Sequence, residues 1–172
     1  IIPKLSSGQV LVKLAYSGVC HSQVMESNGE RGPDRWLPHM LGHEATGRVV
    51  STGSAVTKVL IGDLVVLGWI KGQGCEAGGC QYSHPKMNIN AGGVTTFSDY
   101  AVVSENRLVK LPREVPLDVG VLFGCAAPTG AGLVLNEIQP EVGSSVAVFG
   151  LGGIGLAALM AARTYDLTLI AI

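Results

Sequence analysis

Val10, Val12, Leu14 and Tyr16 alternate with residues of mixed character, the period-two pattern of a half-buried strand. Residues 45–51 and 64–68 read as further strands, with Gly62-Asp63 as the turn before the second, and so do 97–104 and 108–111. A short helix is expected over 22–25. Residues 72–93 hold six glycines and a proline, which predicts an irregular loop. Residues 116–135 read as largely helical, interrupted by Pro128, and 136–143 as a junction between domains. Beyond it, Val146-Ala147-Val148-Phe149 is a buried strand, 156–163 a helix and 167–172 a second buried strand. Many short strands followed by one strand–helix–strand unit imply a mainly β domain, 1–137, joined to the start of an α/β parallel-sheet domain, 138–172.

Composition narrows the class. The 172 residues carry a net charge of −1, which gives no electrostatic case for nucleic acid or an anionic membrane surface. Hydrophobic residues make up 47% and charged ones 15%, so most of the chain is expected to pack. Residues 142–162 carry no charge and invite a test as a membrane span. Ser144-Ser145 and the glycines at four of six positions from 150 to 155 divide that run, and glycine is poor helix chemistry. Ile1-Ile2-Pro3 shows no secretory signal. The four cysteines lack the spacing of a small disulfide scaffold and suit a reducing, cytoplasmic compartment.

Two groups of residues carry chemistry. Gly150-Leu151-Gly152-Gly153-Ile154-Gly155 is G-x-G-x-x-G, between a predicted strand and a predicted helix. Gly150 allows the tight turn, Gly152 lets a pyrophosphate approach the backbone, and Gly155 lets the helix pack on the strand. The helix N-terminus that follows offers N–H groups and partial positive charge to phosphates, with Gly153 read as a further cofactor-binding glycine. The second group is Cys20 with Gly42-His43-Glu44, and more remotely Cys125. One imidazole and two thiolates with an open fourth position are a catalytic zinc arrangement, although the long separations make spacing weak by itself. A buried apolar role remains open for either cysteine, and a surface role for His43.

Gly18-Val19-Cys20-His21-Ser22, Leu41 to Gly47, Ile61-Gly62-Asp63-Leu64-Val65-Val66 and Gly150 to Gly155 together resemble the zinc-dependent alcohol dehydrogenases of the medium-chain dehydrogenase/reductase family. The resemblance implies a GroES-like β domain followed by the start of a Rossmann domain. It implies zinc held by Cys20, His43 and Cys125, with Glu44 as an occasional further ligand. Ser22 is then the residue that hydrogen-bonds the substrate hydroxyl, with helix capping as its ordinary alternative. His21 is implied to touch the cofactor pyrophosphate and Thr129 the nicotinamide, of NAD or NADP. An alcohol or aldehyde substrate and a homo-oligomeric full-length enzyme are also implied. Against the family, strands are absent at the start and most of the nucleotide-binding domain at the end, so the chain reads as a fragment.

Two positions and one loop depart from the family pattern. Gln23 stands where a carboxylate often orients the ligating histidine, and Met25 where a histidine often ends a proton relay. Cys75 and Cys80 are two of the four cysteines that hold a structural zinc in many relatives; with His84 they make at most three ligands, so a metal-free loop is expected. The reading is a zinc-dependent oxidoreductase moving a hydride between an alcohol and a nicotinamide cofactor. A zinc polyol or amino-alcohol dehydrogenase is the rival within enzymes. A metal-binding domain without activity of its own is the rival outside them.

Overall fold

A computed structural model describes all 172 residues, in two compact units: Ile1–Gly124 and Cys125–Ile172. The units divide earlier than the 137/138 boundary read from the proline- and glycine-containing junction. The physical reason is that the helix after Cys125 packs on the later helix that follows the glycine turn.

The first unit is built on strands β1 (Gln9–Ser17), β2 (Ala45–Thr52), β3 (Leu64–Leu67), β6 (Tyr100–Ser104) and β7 (Leu108–Lys110). They form one antiparallel sheet in the order β6-β1-β2-β3-β7. The alternation in β1 sends Val10 and Val12 fully inside, against Val49, Val65, Leu67, Val103 and Leu108. Each such side chain contributes roughly 1.5–3 kcal/mol by leaving water. Two register shifts against β2, at Leu11/Val12 and Leu14/Tyr16, bend β1. Helix α1 (His21–Ser27) follows β1 directly.

The 72–93 stretch is not wholly irregular: β4 (Gln81–His84) and β5 (Met87–Asn90) pair as a hairpin. Glycine and proline content drew attention to the turns and hid the short strands. Two carboxylates fasten this loop region. Glu105, 1% exposed, accepts from the backbone N–H groups of Thr57 (2.5 Å) and Lys58 through Oε1 and of Cys75 (2.8 Å) through Oε2. Glu76 accepts from Lys71 Nζ (2.8 Å), Asn106 Nδ2 (3.2 Å), Ser104 Oγ (3.2 Å) and Gly78 N–H (3.1 Å). Lys71 above all holds the Glu76 carboxyl at about 2.

Helix α2 (Leu117–Gly120) and a 3-10 turn, Val121–Gly124, end the first unit. The second contains α3 (Ala126–Gly132), a π-type turn at Leu133–Ile138, β8 (Ser145–Val148), α4 (Gly153–Ala162) and β9 (Thr168–Ala171). Pro128 falls in the first turn of α3, where a missing N–H costs nothing, so the helical break lies at Cys125 and not at the proline. β8 and β9 pair in parallel across α4, a strand–helix–strand crossover. Within this unit α3 lies so close to α4 that a Cβ on Gly130 would meet the Ile154 carbonyl oxygen at 2.1 Å. The uncharged 142–162 run is divided between β8 and α4, and no single helix is long and apolar enough to cross a membrane.

Candidate metal and nucleotide sites

Cys20 is the residue at which β1 hands over to α1, with extended backbone (φ −103°, ψ 149°) as the helix N-cap. The start is closed as a capping box: the Cys20 side chain faces the Gln23 N–H, which also donates to the Cys20 carbonyl (3.0 Å), and Cys20 N–H donates to Gln23 Oε1 (2.8 Å). The cap is therefore Cys20 and not Ser22. Ser22 sits in the first turn, its Oγ buried and without a hydrogen-bond partner in the protein. His21 is exposed.

His43 is aimed by its neighbour. Gly42 adopts φ +90°, and a Cβ there would lie 2.4 Å from Thr96 Oγ1 and 2.9 Å from Phe97 N. The Leu41 carbonyl takes the Thr96 (3.1 Å) and Phe97 (3.0 Å) N–H groups, so the turn is bound to that loop. His43 Nδ1 contacts the Gln23 side-chain amide, whereas Nε2 is buried with no hydrogen-bond partner in the protein. The Cys20 sulfur and a His43 ring nitrogen lie within 4.8 Å of one another. Burial pushes the His43 pKa below its ordinary 6.5, which favours the neutral ring a metal needs. A thiol and a neutral imidazole with an unsatisfied buried nitrogen fit zinc chemistry.

Glu44, 5% exposed, is wedged between two glycine backbones. A Cβ on Gly18 would meet Glu44 Oε1 at 2.5 Å, and one on Gly124 would meet Glu44 Cβ at 2.6 Å. Cys125 opens the second unit, buried, as the N-cap of α3. Its carbonyl accepts from Thr129 N–H (3.1 Å) and Thr129 Oγ1 (2.7 Å). The Thr129 hydroxyl is thus engaged with its own helix.

Gly150 turns at φ +94°, and a Cβ on Gly155 would strike the Gly150 carbonyl oxygen at 1.9 Å. Gly152 caps α4 and has open space around the place a Cβ would occupy. A cavity of about 510 Å³ runs along Val148, Gly150, Gly152 and Gly155. Strand, tight turn, bare backbone and helix start are the parts a pyrophosphate requires.

Within the first unit, a cavity of about 720 Å³ has His43 and Gln23 in its wall together with Glu26, Asp34 and His39. His39 Nδ1 donates to the Met40 carbonyl (2.8 Å), and Nε2 lies 2.7 Å from Asp34 and 3.5 Å from Glu26. The Met40 carbonyl, with the two carboxylates, raises the His39 pKa against the effect of burial. No sequence signal points to this cluster, because Glu26, Asp34 and His39 lie in segments without periodicity. Cys75 and Cys80 are not joined by a disulfide, and they do not gather with His84 as a ligand group. Burial pushes the Cys80 thiol pKa up.

Residues 6–113 match the alcohol dehydrogenase GroES-like domain. The chain is 36% identical to an S-(hydroxymethyl)glutathione dehydrogenase from Synechocystis, covering 91% of this chain and 49% of that protein. Identity is also 36% with a class-3 alcohol dehydrogenase from Caenorhabditis elegans, over 90% of this chain and 47% of that one. Among solved structures, benzyl alcohol dehydrogenase from Acinetobacter calcoaceticus superposes with a TM-score of 0.80 at 30% identity, covering 99% of this chain and 52% of that one. The chain spans about half the length of these relatives. With the β domain, the Cys20–His43 pair and the glycine turn in place, the chain belongs to the alcohol dehydrogenase GroES-like domain family of medium-chain dehydrogenases.

Proposed function

We propose that the chain forms the zinc-holding part and the first nucleotide-binding elements of an alcohol dehydrogenase. The observation that carries this reading is the buried, unpartnered His43 Nε2 beside the Cys20 sulfur. Cys125 is the proposed third ligand, as the family resemblance implies. Glu44 is an occasional fourth, next in sequence to His43. When bound, zinc supplies Lewis-acid polarisation of a substrate oxygen, and the nicotinamide cofactor, NAD or NADP, accepts or donates the hydride.

The chain's own groups set orientation and proton handling. Ser22 Oγ, buried and without a partner, is the group that accepts a substrate hydroxyl proton. His21, exposed beside it, is the group for a cofactor phosphate. Gly150, Gly152, Gly153 and Gly155 keep the turn bare and close so that backbone N–H groups reach the pyrophosphate. Thr129 is retained as a contact for the nicotinamide, although its hydroxyl also serves α3.

A polyol or amino alcohol is the second reading of the substrate. Two carboxylates, Glu26 and Asp34, stand in the cavity wall with His43, and no lysine or arginine does. Metal analysis and equilibrium binding test the proposal. About one zinc per chain, lost in C20S and in H43A, together with NAD(H) or NADP(H) binding weakened by G152V, is the expected result. Stoichiometric zinc retained in C20S overturns it.

A further inference from the structure

Gln23 is buried at the third position of α1, and its side-chain amide is committed at both ends. The Cys20 backbone N–H has only a hydrogen to give, so the amide atom facing it at 2.8 Å is the oxygen. The other end, an NH2 group, then faces His43 Nδ1. An NH2 group is only a donor, so Nδ1 is the accepting nitrogen of the ring, and the single proton of neutral His43 sits on Nε2. That is the buried nitrogen without a partner. While it carries the proton it has no lone pair to offer a metal.

We propose that Gln23 holds His43 in the Nε2–H tautomer in the metal-free protein and thereby lowers its zinc affinity. The inference rests on His43 being a zinc ligand. Zinc uptake at Nε2 requires that proton to leave, with Nδ1 carrying the hydrogen in the neutral ligand. Nδ1–H then confronts the Gln23 NH2, donor against donor. Turning the amide over relieves that contact and sets the NH2 against Cys20 N–H instead. One amide, with a single oxygen, satisfies the cap or the ligand but not both. A glutamate of the same shape has an oxygen at each end, serves both donors, and keeps the capping box.

The test uses the metal-free chain as wild type, Q23E and H43A, with a chromophoric chelator competing for zinc. Histidine-ring 15N resonances, with His43 assigned by its loss in H43A, report the tautomer. Wild type is expected to show the proton on Nε2 and Q23E the proton on Nδ1. Outer-shell partners typically change metal affinity by about 10–100-fold, and Q23E is expected to tighten zinc by that factor. A wild-type ring protonated at Nδ1 overturns the proposal, as does a Q23E affinity equal to or weaker than wild type. Failure of the ligand assignment reads differently: wild type binds no stoichiometric zinc, or H43A binds it as tightly.

Discussion

Replacing Glu105 should show how the 72–80 loop is held. Its carboxylate accepts three backbone N–H groups, from Thr57, Lys58 and Cys75, and the side chain is almost wholly buried. Burial raises its pKa, but the N–H groups of Cys75, Lys58 and Thr57 outweigh this and leave it below its ordinary 4.5. In E105Q the amide oxygen still serves Thr57 and Lys58, while its NH2 faces Cys75 N–H. One hydrogen bond to a charged acceptor is lost and a donor is stranded, a cost of about 2–3 kcal/mol. E105A strands all three donors and leaves a void, for a cost of about 4 kcal/mol. Urea unfolding followed by tryptophan fluorescence measures this in the first unit alone, because both tryptophans, Trp36 and Trp69, lie there. Amide exchange at Cys75 should quicken in E105Q before that at Thr57. An E105Q loss under about 0.5 kcal/mol, well below the cost of a stranded buried donor, refutes the reasoning.

Two further expectations concern charge and backbone. His39 has a raised pKa, so its contribution to stability is complete below about 6.5 and lost as pH rises through the higher folded value. Asp34 has a lowered pKa, chiefly through the Trp36 N–H, so its contribution holds above about 3.8 and is lost as pH falls through the folded value. An NMR titration of His39 should therefore give a midpoint above 6.5 in wild type and a lower one in D34N; equal midpoints count against the pair. G155A should weaken dinucleotide binding at least tenfold, since its Cβ would sit 1.9 Å from the Gly150 carbonyl oxygen and must push α4 from the turn. Calorimetric titration with NADH or NADPH that finds unchanged affinity defeats that argument.

Legibility followed local regularity. β1, β2, β3 and the β8–α4–β9 unit were readable because their apolar periods and glycine punctuation are local. The β4–β5 hairpin was not: Met87–Asn90 alternates for only four residues, Gln81–His84 offers Tyr82 alone for burial, and most of these side chains are exposed. Cys20, His43, Glu44 and the glycine turn stood out through their neighbours. Three features needed coordinates. Gln23 was visible only as a departure from a pattern, and its two-ended hydrogen bonding depends on a fold that joins α1 to the Gly42 turn. The Glu105 fastening is long-range, and the Glu26–Asp34–His39 cluster, though close in sequence, joins partners that no spacing rule connects.

The seat of Gly42 has a consequence for engineering. The strip from Gly92 to Thr95 forms part of the same cavity wall as His43, and its continuation, Thr96 and Phe97, presses on Gly42 and grips Leu41. On the proposed reading of His43 as a zinc ligand, the cavity wall and the ligand share one mechanical part. Under that proposal, mutagenesis that widens the cavity from this side tilts the histidine as well, so a wider cavity is expected to come with weaker zinc retention.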